Sequence, residues 1–197
     1  MKVSILKRLF VLALLVGLVG VAGLANTGTS VMVSEVAWSG TPASWADEWI
    51  ELRNGTDKTI DLTGWTLSWD GATVHLGREK GDTITVVNKT IEPGEAFLLE
   101  RSDDDTVSSV SADVIYKGSL SNSGEKLVLK NSSGQEVQVV DGSEDWIAGT
   151  SSSGDPGYAS MEMVDGQWKT HKNKGNQKDV EGNRIYGTPG LLPDSAE

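Results

Sequence analysis

Few side chains in this sequence could support catalysis. There is no cysteine, and the only two histidines, His75 and His171, lie far apart along the chain. No Gly-x-Ser-x-Gly elbow presents a serine nucleophile. The string from Ser123 to Lys126 matches the Ser-x-x-Lys pattern of penicillin-binding enzymes, but that chemistry needs both residues on one face of a helix, and here the string opens a strand after a turn. Nucleophilic catalysis is therefore disfavoured.

Calcium is the metal that the sequence leaves open. Zinc and copper sites need His, Cys and carboxylate ligands together, and the two histidines are isolated in the sequence, so neither metal is expected. Calcium takes six to eight oxygens from loops. Asp103, Asp104 and Asp105 begin a loop after a strand and are the candidate calcium ligands, although they lack EF-hand spacing. The competing interpretation is a solvated acidic loop on an acidic protein.

Tryptophan is the other residue type that could bind a ligand. The chain has seven, and a broad aromatic face can stack on sugar rings or other planar groups. Trp49, Trp65 and Trp146 are better explained as structural anchors and are expected at strand or core positions. Trp45, which lies in a loop, and Trp69, which lies beside a turn, are expected to be exposed and are the candidate ligand-binding residues.

A carboxylate-based hydrolase is the least favoured function. Glu48 and Glu51 would be its catalytic pair. They are three residues apart on or near a strand, so their side chains point to opposite faces. That arrangement does not suit the facing carboxylates of a glycosidase.

The elements that would position these residues are short β-strands. In Trp49–Asn54, Ile50 and Leu52 point one way and Glu51 and Arg53 the other, which predicts a half-buried strand. Turn-forming residues separate this run from the others, and helical periodicity is almost absent. The other predicted strands are 31–38, 59–62, 65–69, 83–87, 96–100 and, as a last edge strand, 161–168.

A β-hairpin is predicted near the middle of the chain. Lys126–Lys130 and Glu136–Val140 flank the polar loop 131–134, whose glycine allows a tight reversal. Eight or nine such strands without helices predict a β-sandwich. Alternation assigns one inter-sheet core to Ile50, Leu52, Leu62, Trp65, Leu67, Leu98, Leu127 and Leu129. The turn glycines are Gly64, Gly94, Gly124 and Gly134.

The N-terminal residues 1–25 have the order of a secretory signal. Lys2, Lys7 and Arg8 precede an uncharged apolar run from Leu9 to Ala25 that ends in small residues. An uncleaved anchor is the alternative, since that run falls just short of the roughly 20 residues that span a bilayer. Either way, the rest of the chain is expected to be secreted or extracytoplasmic. Membrane contact is expected only through an uncleaved N-terminal segment.

Beyond this segment the chain is strongly acidic. Residues 26–30 form a short linker, residues 31–190 one domain and residues 191–197 a C-terminal tail. Without residues 1–25 the chain keeps all 28 acidic side chains and loses three of its 17 basic ones, which leaves a formal charge of −14. Broad nucleic-acid binding is therefore not expected, and the fold has no disulfide to support it.

Four segments resemble the lamin tail domain as it occurs in exported prokaryotic proteins. They are Trp49–Asn54, Ile60–Leu67, Ile91–Glu95 and Leu120–Leu129, in the family's order and spacing. Further elements resemble the family's closing part, namely Val139–Asp141, Trp146, Ser160–Glu162, Trp168 and Gly187–Gly190. The sequence departs from the family at Met163, where relatives commonly carry Arg, and in a long insert at 169–184.

The resemblance implies an immunoglobulin-like β-sandwich with a non-catalytic role outside the cytoplasm. The sequence-based hypothesis is a binding or structural module whose partner is an unknown protein or glycan at the cell surface. The alternative is a calcium-assisted carbohydrate- or surface-binding module that uses Asp103–Asp105 and Trp45. Asn54, Asn88 and Asn131 also open Asn-x-Ser/Thr patterns in predicted turns, whose use depends on the host.

Overall fold

The computed structural model describes residues 31–191, which form thirteen β-strands and, within that range, no helix. The signal-segment, linker and C-terminal-tail predictions lie outside these residues, except for Leu191. The first strands are β1 Val31–Ala37, β2 Trp49–Asn54, β3 Ile60–Asp61, β4 Thr66–Trp69, β5 Ala72–His75, β6 Thr83–Val86 and β7 Thr90–Ile91. The others are β8 Ala96–Arg101, β9 Val114–Tyr116, β10 Lys126–Lys130, β11 Glu136–Asp141, β12 Met161–Val164 and β13 Gln167–Thr170.

Two larger sheets and one small one make up the fold. The seven-stranded sheet has the order β13-β12-β1-β2-β8-β9-β6, and the four-stranded sheet has the order β11-β10-β4-β5. Strands β3 and β7 form a separate two-stranded sheet. The β10–β11 hairpin is confirmed, whereas the predicted last strand 161–168 is two strands, β12 and β13, joined by a turn at Asp165 and Gly166.

The inter-sheet core is the one that alternation predicts, with one exception. Ile50 and Leu52 are fully buried in it, together with Leu62, Trp65, Leu67, Leu127 and Leu129. Leu98 is also buried but belongs to a second, smaller cluster. Its placement in the main core is wrong because Leu98 lies opposite Glu51, on the other face of the sheet.

The second cluster shows that the seven-stranded sheet is buried on both faces near β2. It consists of Ala37, Trp49, Leu98, Val107 and Ile185. Glu51 itself is only 1 % exposed, so the prediction of a half-buried β2 is wrong. The alternation is real, but other parts of the chain cover the polar side of the strand.

The glutamates on this face are covered by residues 171–191, which we call the C-terminal strap, and Val107 of the β8–β9 loop adds to the apolar cluster. The backbone of the strap joins the sheet where Ser160 N donates to Tyr186 O at 2.9 Å. Ile185 packs into the second cluster. Thr188 and Gly190 donate hydrogen bonds to glutamates of β1 and β2. The strap is thus a third layer over the outer face of the large sheet.

The asparagine of one of the Asn-x-Ser/Thr patterns lies in the interior of the fold. Asn54 is fully buried and donates its side-chain amide to Lys58 O at 2.7 Å and Ile91 O at 2.9 Å, so its Asn-x-Thr pattern is a structural turn and not an open glycan site. Within residues 31–191 no helix is long and apolar enough to cross a membrane.

We expect Gly124→Ala to destabilise the fold far more than Gly94→Ala. Both glycines have positive φ, of +114° and +71°. A Cβ at Gly124 would lie 2.0 Å from Gly142 O, whereas nothing lies within 4 Å of one at Gly94. Gly94→Ala should therefore cost about 1–2 kcal/mol of left-handed strain, and Gly124→Ala roughly 2 kcal/mol more because backbone must shift. Urea unfolding of both variants measures the difference, and equal losses would contradict this account.

Candidate functional site

Trp45 lies at one end of the sandwich, and its ring packs against the guanidinium of Arg101. Its side chain is 71 % exposed, and the Arg101 guanidinium carbon lies 5.0 Å from its ring centroid. Arg101 is held in turn by Glu48, through Arg101 N to Glu48 O at 3.0 Å and a 3.2 Å ion pair to Glu48 Oε1. One face of the indole is therefore occupied by Arg101, and the ring is positioned before any ligand arrives.

The acidic loop after β8 lies at the same end of the molecule, since it follows Arg101 directly. Asp103, Asp104 and Asp105 are all exposed, and Asp104 Oδ1 accepts a hydrogen bond from Ala112 N at 2.6 Å. A hydrogen bond with the Asp105 carboxyl, burial and neighbouring negative charges raise the pKa of Asp103 to about 6. Burial, followed by the charges of Asp105 and Asp179, also raises the pKa of Asp47.

Trp69 is not exposed, contrary to the sequence-based expectation. Its side chain is only 7 % exposed, its Nε1 donates to Ser119 O at 3.0 Å, and its ring packs edge-on against Tyr116. Proximity to a turn was misleading because Trp69 ends β4 on its inward face, in line with buried Leu67. It is therefore a core residue.

Glu48 and Glu51 accept hydrogen bonds from different groups. Glu48 Oε2 accepts from Leu120 N at 2.7 Å, and burial raises its pKa to about 7 despite the Arg101 ion pair. Glu51 accepts from Ser34 Oγ at 3.0 Å and from Gly190 N at 2.9 Å. Both side chains are buried, and neither carboxylate is open to solvent.

Three glutamates form a row across neighbouring strands under the C-terminal strap. Glu162 of β12 lies opposite Glu35 of β1, and Glu35 lies opposite Glu51 of β2. We call these three residues the glutamate row. Directly opposed side chains on adjacent strands are about 5 Å apart at Cβ, and like charges there are destabilising. Burial accordingly raises the pKa of Glu35 and raises that of Glu51 well above its usual value, with the charge of Glu35 adding to the shift of Glu51.

Glu35 is the most completely hydrogen-bonded member of this row. Its Oε1 accepts from Ser160 Oγ at 2.5 Å and from Thr188 N at 3.0 Å, and its Oε2 accepts from Thr188 Oγ1 at 2.6 Å. A buried carboxyl group needs such partners, because leaving it unpaired costs about 1–3 kcal/mol. The carboxylate therefore ties β1 to both the strap and the chain that leads into β12.

His171 lies beside the glutamate row, so the view that both histidines are isolated is wrong. Its Nδ1 is 2.9 Å from Glu162 Oε2, and one ligand atom from each of Glu35, Glu162 and His171 lies within 4.8 Å of the others. Among residues 31–191 this is the one such set of His, Asp or Glu side chains. The sequence could not reveal it, because pairing of β1 with β12 is what brings the three together.

Glu100 is a further buried carboxylate, outside this row. Its Oε2 accepts from Thr106 N at 3.1 Å, whereas its Oε1 has no partner. Burial, the largest influence, raises its pKa to about 8. Burial therefore makes Glu100 hold its proton more tightly than an exposed glutamate does.

Two β-sheets pack face to face, and their strand pairings join residues that are distant in sequence. This arrangement defines an immunoglobulin-like β-sandwich. The family model described as Lamin Tail Domain matches residues 25–143, and the chain therefore belongs to the lamin tail domain family, whose members are non-enzymatic immunoglobulin-like domains. No curated protein matches the chain. Strands β12 and β13 and the C-terminal strap lie beyond the matched range but complete the same large sheet and cover it.

The buried carboxylates predict that stability falls as pH rises. Glu48 and Glu100, with pKa values of about 7 and about 8, retain protons that the unfolded chain releases near pH 4.5. The stabilisation is complete below that pH and is lost as pH rises through 7 and 8. Denaturant unfolding should give a free energy on the order of 3 kcal/mol or more lower at pH 9 than at pH 5. Glu100→Gln should make the stability less dependent on pH, because it removes one of the two titrating carboxyl groups. Glu144→Gln, at an exposed site, is the control and should leave the pH dependence unchanged. Stability that rises toward pH 9 would contradict the raised pKa values of Glu48 and Glu100.

Thr188→Val should loosen the strap. Valine keeps the volume and the backbone donor but removes the hydroxyl that donates to Glu35 Oε2. Leaving a buried carboxylate short of a partner costs about 1–3 kcal/mol. Thr90→Val, at an exposed position of β7, is the matched control and should change stability by less than about 0.5 kcal/mol. Equal effects in the thermal unfolding of the two variants would show that Thr188 does not hold Glu35.

Proposed function

We propose that this protein is an exported, non-catalytic lamin tail module that binds a ligand at the cell surface or in the surrounding medium through Trp45. The observation that supports this most directly is the exposed indole of Trp45 on the Arg101 guanidinium. A large, mostly exposed aromatic side chain keeps apolar area in contact with water, which is unfavourable. A ligand that covers the ring removes this area from water and gains the corresponding hydrophobic free energy.

The platform is rigid because its support is buried. Arg101 is bonded to Glu48, and Glu48 is fixed by Leu120 N in the interior. A ligand that stacks on Trp45 therefore pays little conformational entropy to order the protein. Such preorganisation is expected of a recognition site and is unnecessary for a side chain that only faces solvent.

A neutral glycan is the ligand class that suits the surroundings of Trp45. A sugar ring stacks on the free face of the indole, and its hydroxyl groups can donate to nearby carboxylates such as those of Asp103 and Asp105. The strong negative charge of the domain disfavours anionic polymers, including nucleic acids. A protein partner at the cell surface is the other ligand class in this proposal.

The N-terminal segment supports the extracytoplasmic location. Its basic residues, apolar run and small-residue exit are the pattern of a secretory signal. Cleavage would release a secreted binding protein. Retention would tether the same domain to the outer face of the membrane.

A non-catalytic role agrees with the chemistry of the buried acids. Glu48 and Glu51, the pair that a hydrolase would use, are enclosed and each is hydrogen-bonded to backbone amides. Both are buried, with Glu48 3 % and Glu51 1 % exposed. Turnover of a polysaccharide that Glu51→Gln abolishes would overturn this part of the proposal.

Calcium assistance is the second candidate, and the crowding of acids near Trp45 favours it. The carboxyl of Asp103 is hydrogen-bonded to that of Asp105, and its pKa is raised to about 6 by that contact, by burial and by neighbouring acids. A calcium ion would replace the shared proton and relieve this repulsion. Binding of the loop oxygens to the ion would then fix the backbone of residues 102–106 next to Trp45.

Trp45→Ala should weaken ligand binding strongly without unfolding the domain. A glycan array probed with the exported chain identifies the ligand, and calorimetry then measures the loss, which should be at least about 30-fold for a central stacking residue. Ile147→Ala removes another exposed apolar side chain, 50 % exposed, and should bind normally. Binding that survives Trp45→Ala would contradict the proposed site. Undiminished binding in EGTA would eliminate calcium assistance alone.

A further inference from the structure

We infer that Glu35, Glu162 and His171 form a binding site for a first-row divalent transition-metal cation, and that Zn²⁺ suits it best. Their ligand atoms lie within 4.8 Å of one another, and His171 Nδ1 is 2.9 Å from Glu162 Oε2. Zinc is commonly bound by imidazole nitrogen and carboxylate oxygen at about 2.0–2.2 Å, with three protein ligands and one water completing a tetrahedron. Small side-chain movements would bring the three atoms to that spacing.

The charge balance of the site favours a cation. The glutamate row places three carboxyl groups, those of Glu162, Glu35 and Glu51, side by side on adjacent strands beneath the strap. The positive groups near the row are the His171 imidazole when protonated, which pairs with Glu162 at 2.9 Å, Arg53 near Glu51, and Lys169 of β13, whose side chain is exposed. Several carboxylates cannot share a buried region without protons or counter-ions. A divalent cation between Glu35 and Glu162 would neutralise two of the three.

The groups around the site orient its ligands as the outer shell of a metal centre does. Ser160 and Thr188 together give three hydrogen bonds to Glu35. The backbone of Asn173 hydrogen-bonds the His171 ring. In metal centres, carboxylate ligands are themselves hydrogen-bonded, and histidine ligands usually bond a carbonyl through the second nitrogen. Glu35 and His171 have these supports in the folded chain.

A path to the site is open from one side. A groove of about 610 Å³ runs along β12 and β13, and Glu162 lines it together with Lys172 and Asn173. The Glu162 side chain is 14 % exposed and that of His171 is 8 % exposed. A hydrated cation can therefore reach Glu162 first and displace the proton between its Oε2 and His171 Nδ1, which leaves to solvent.

The donor set distinguishes the cation class. One imidazole with two carboxylates suits Zn²⁺ and its neighbours in the first transition row. Calcium prefers six to eight oxygen ligands and has no use for the imidazole. The inference concerns a region apart from Trp45 and does not depend on the proposed glycan function.

Titration of the metal-stripped exported chain with ZnCl₂ at pH 7 tests the inference. Calorimetry should show one Zn²⁺ bound per chain, and dialysed samples should retain one zinc by elemental analysis. His171→Ala and Glu162→Gln should each weaken binding at least about 100-fold. His75→Ala is the matched control, because His75 is partly exposed on β5, away from any carboxylate set of this kind in residues 31–191, and its affinity should equal that of the wild type.

Two further readouts separate loss of ligands from loss of fold. Circular dichroism without metal should show that Glu162→Gln remains folded, so that variant keeps the test valid even if His171→Ala unfolds. Co²⁺ should give the visible absorption of a four-coordinate site in the wild type and not in Glu162→Gln. No retained zinc, or zinc affinity unchanged in both variants, would overturn the inference.

Discussion

The buried carboxylate of Glu35 is the interaction on which the rest of this structure depends. It lies on the inner strand β1, opposite a glutamate on each neighbouring strand. Without compensation this arrangement would force the sheet apart or leave its outer face in water. Thr188 and Ser160 compensate it with three hydrogen bonds. Because Thr188 is 153 residues away in sequence, satisfying this one carboxylate requires the C-terminal strap to close over the sheet.

Closure of the strap explains why the large sheet has two buried faces. Ile185 of the strap packs in one apolar cluster with Trp49 and Leu98, beside the carboxylates. The polar and apolar parts are coupled, since hydrogen bonds to Glu35 position the strap and the apolar contacts exclude water from those bonds. The lamin tail match ends at residue 143, yet β12, β13 and the C-terminal strap are part of the same fold. The loop that carries Trp45 is tied to the same strap, because Ala43 N donates to Asp179 Oδ2 at 3.1 Å.

The sequence predicts the inner side of this molecule well and the outer side poorly. Alternation places Ile50 and Leu52 in the core because a period of two is imposed by the strand itself. The same alternation marks Glu51 as polar but contains no information about what covers it. Trp69 was misassigned for a related reason: a residue next to a turn can face either way, and its contact with Tyr116 joins distant strands. The grouping of His171 with two glutamates depends on β1–β12 pairing, which no local pattern encodes.

Hydrogen exchange at the amides of Thr188 and Gly190 tests the central claim most directly. If the strap is held by Glu35 and Glu51, these two amides open only when the whole sandwich opens, and they should exchange as slowly as the amides of β2. The loop 151–157, which is largely exposed, supplies the fast reference within the same spectrum. Slow exchange at Thr188 and Gly190 is the result this account predicts. Exchange as fast as that of loop 151–157 would show that the strap opens independently and that the sheet does not need it.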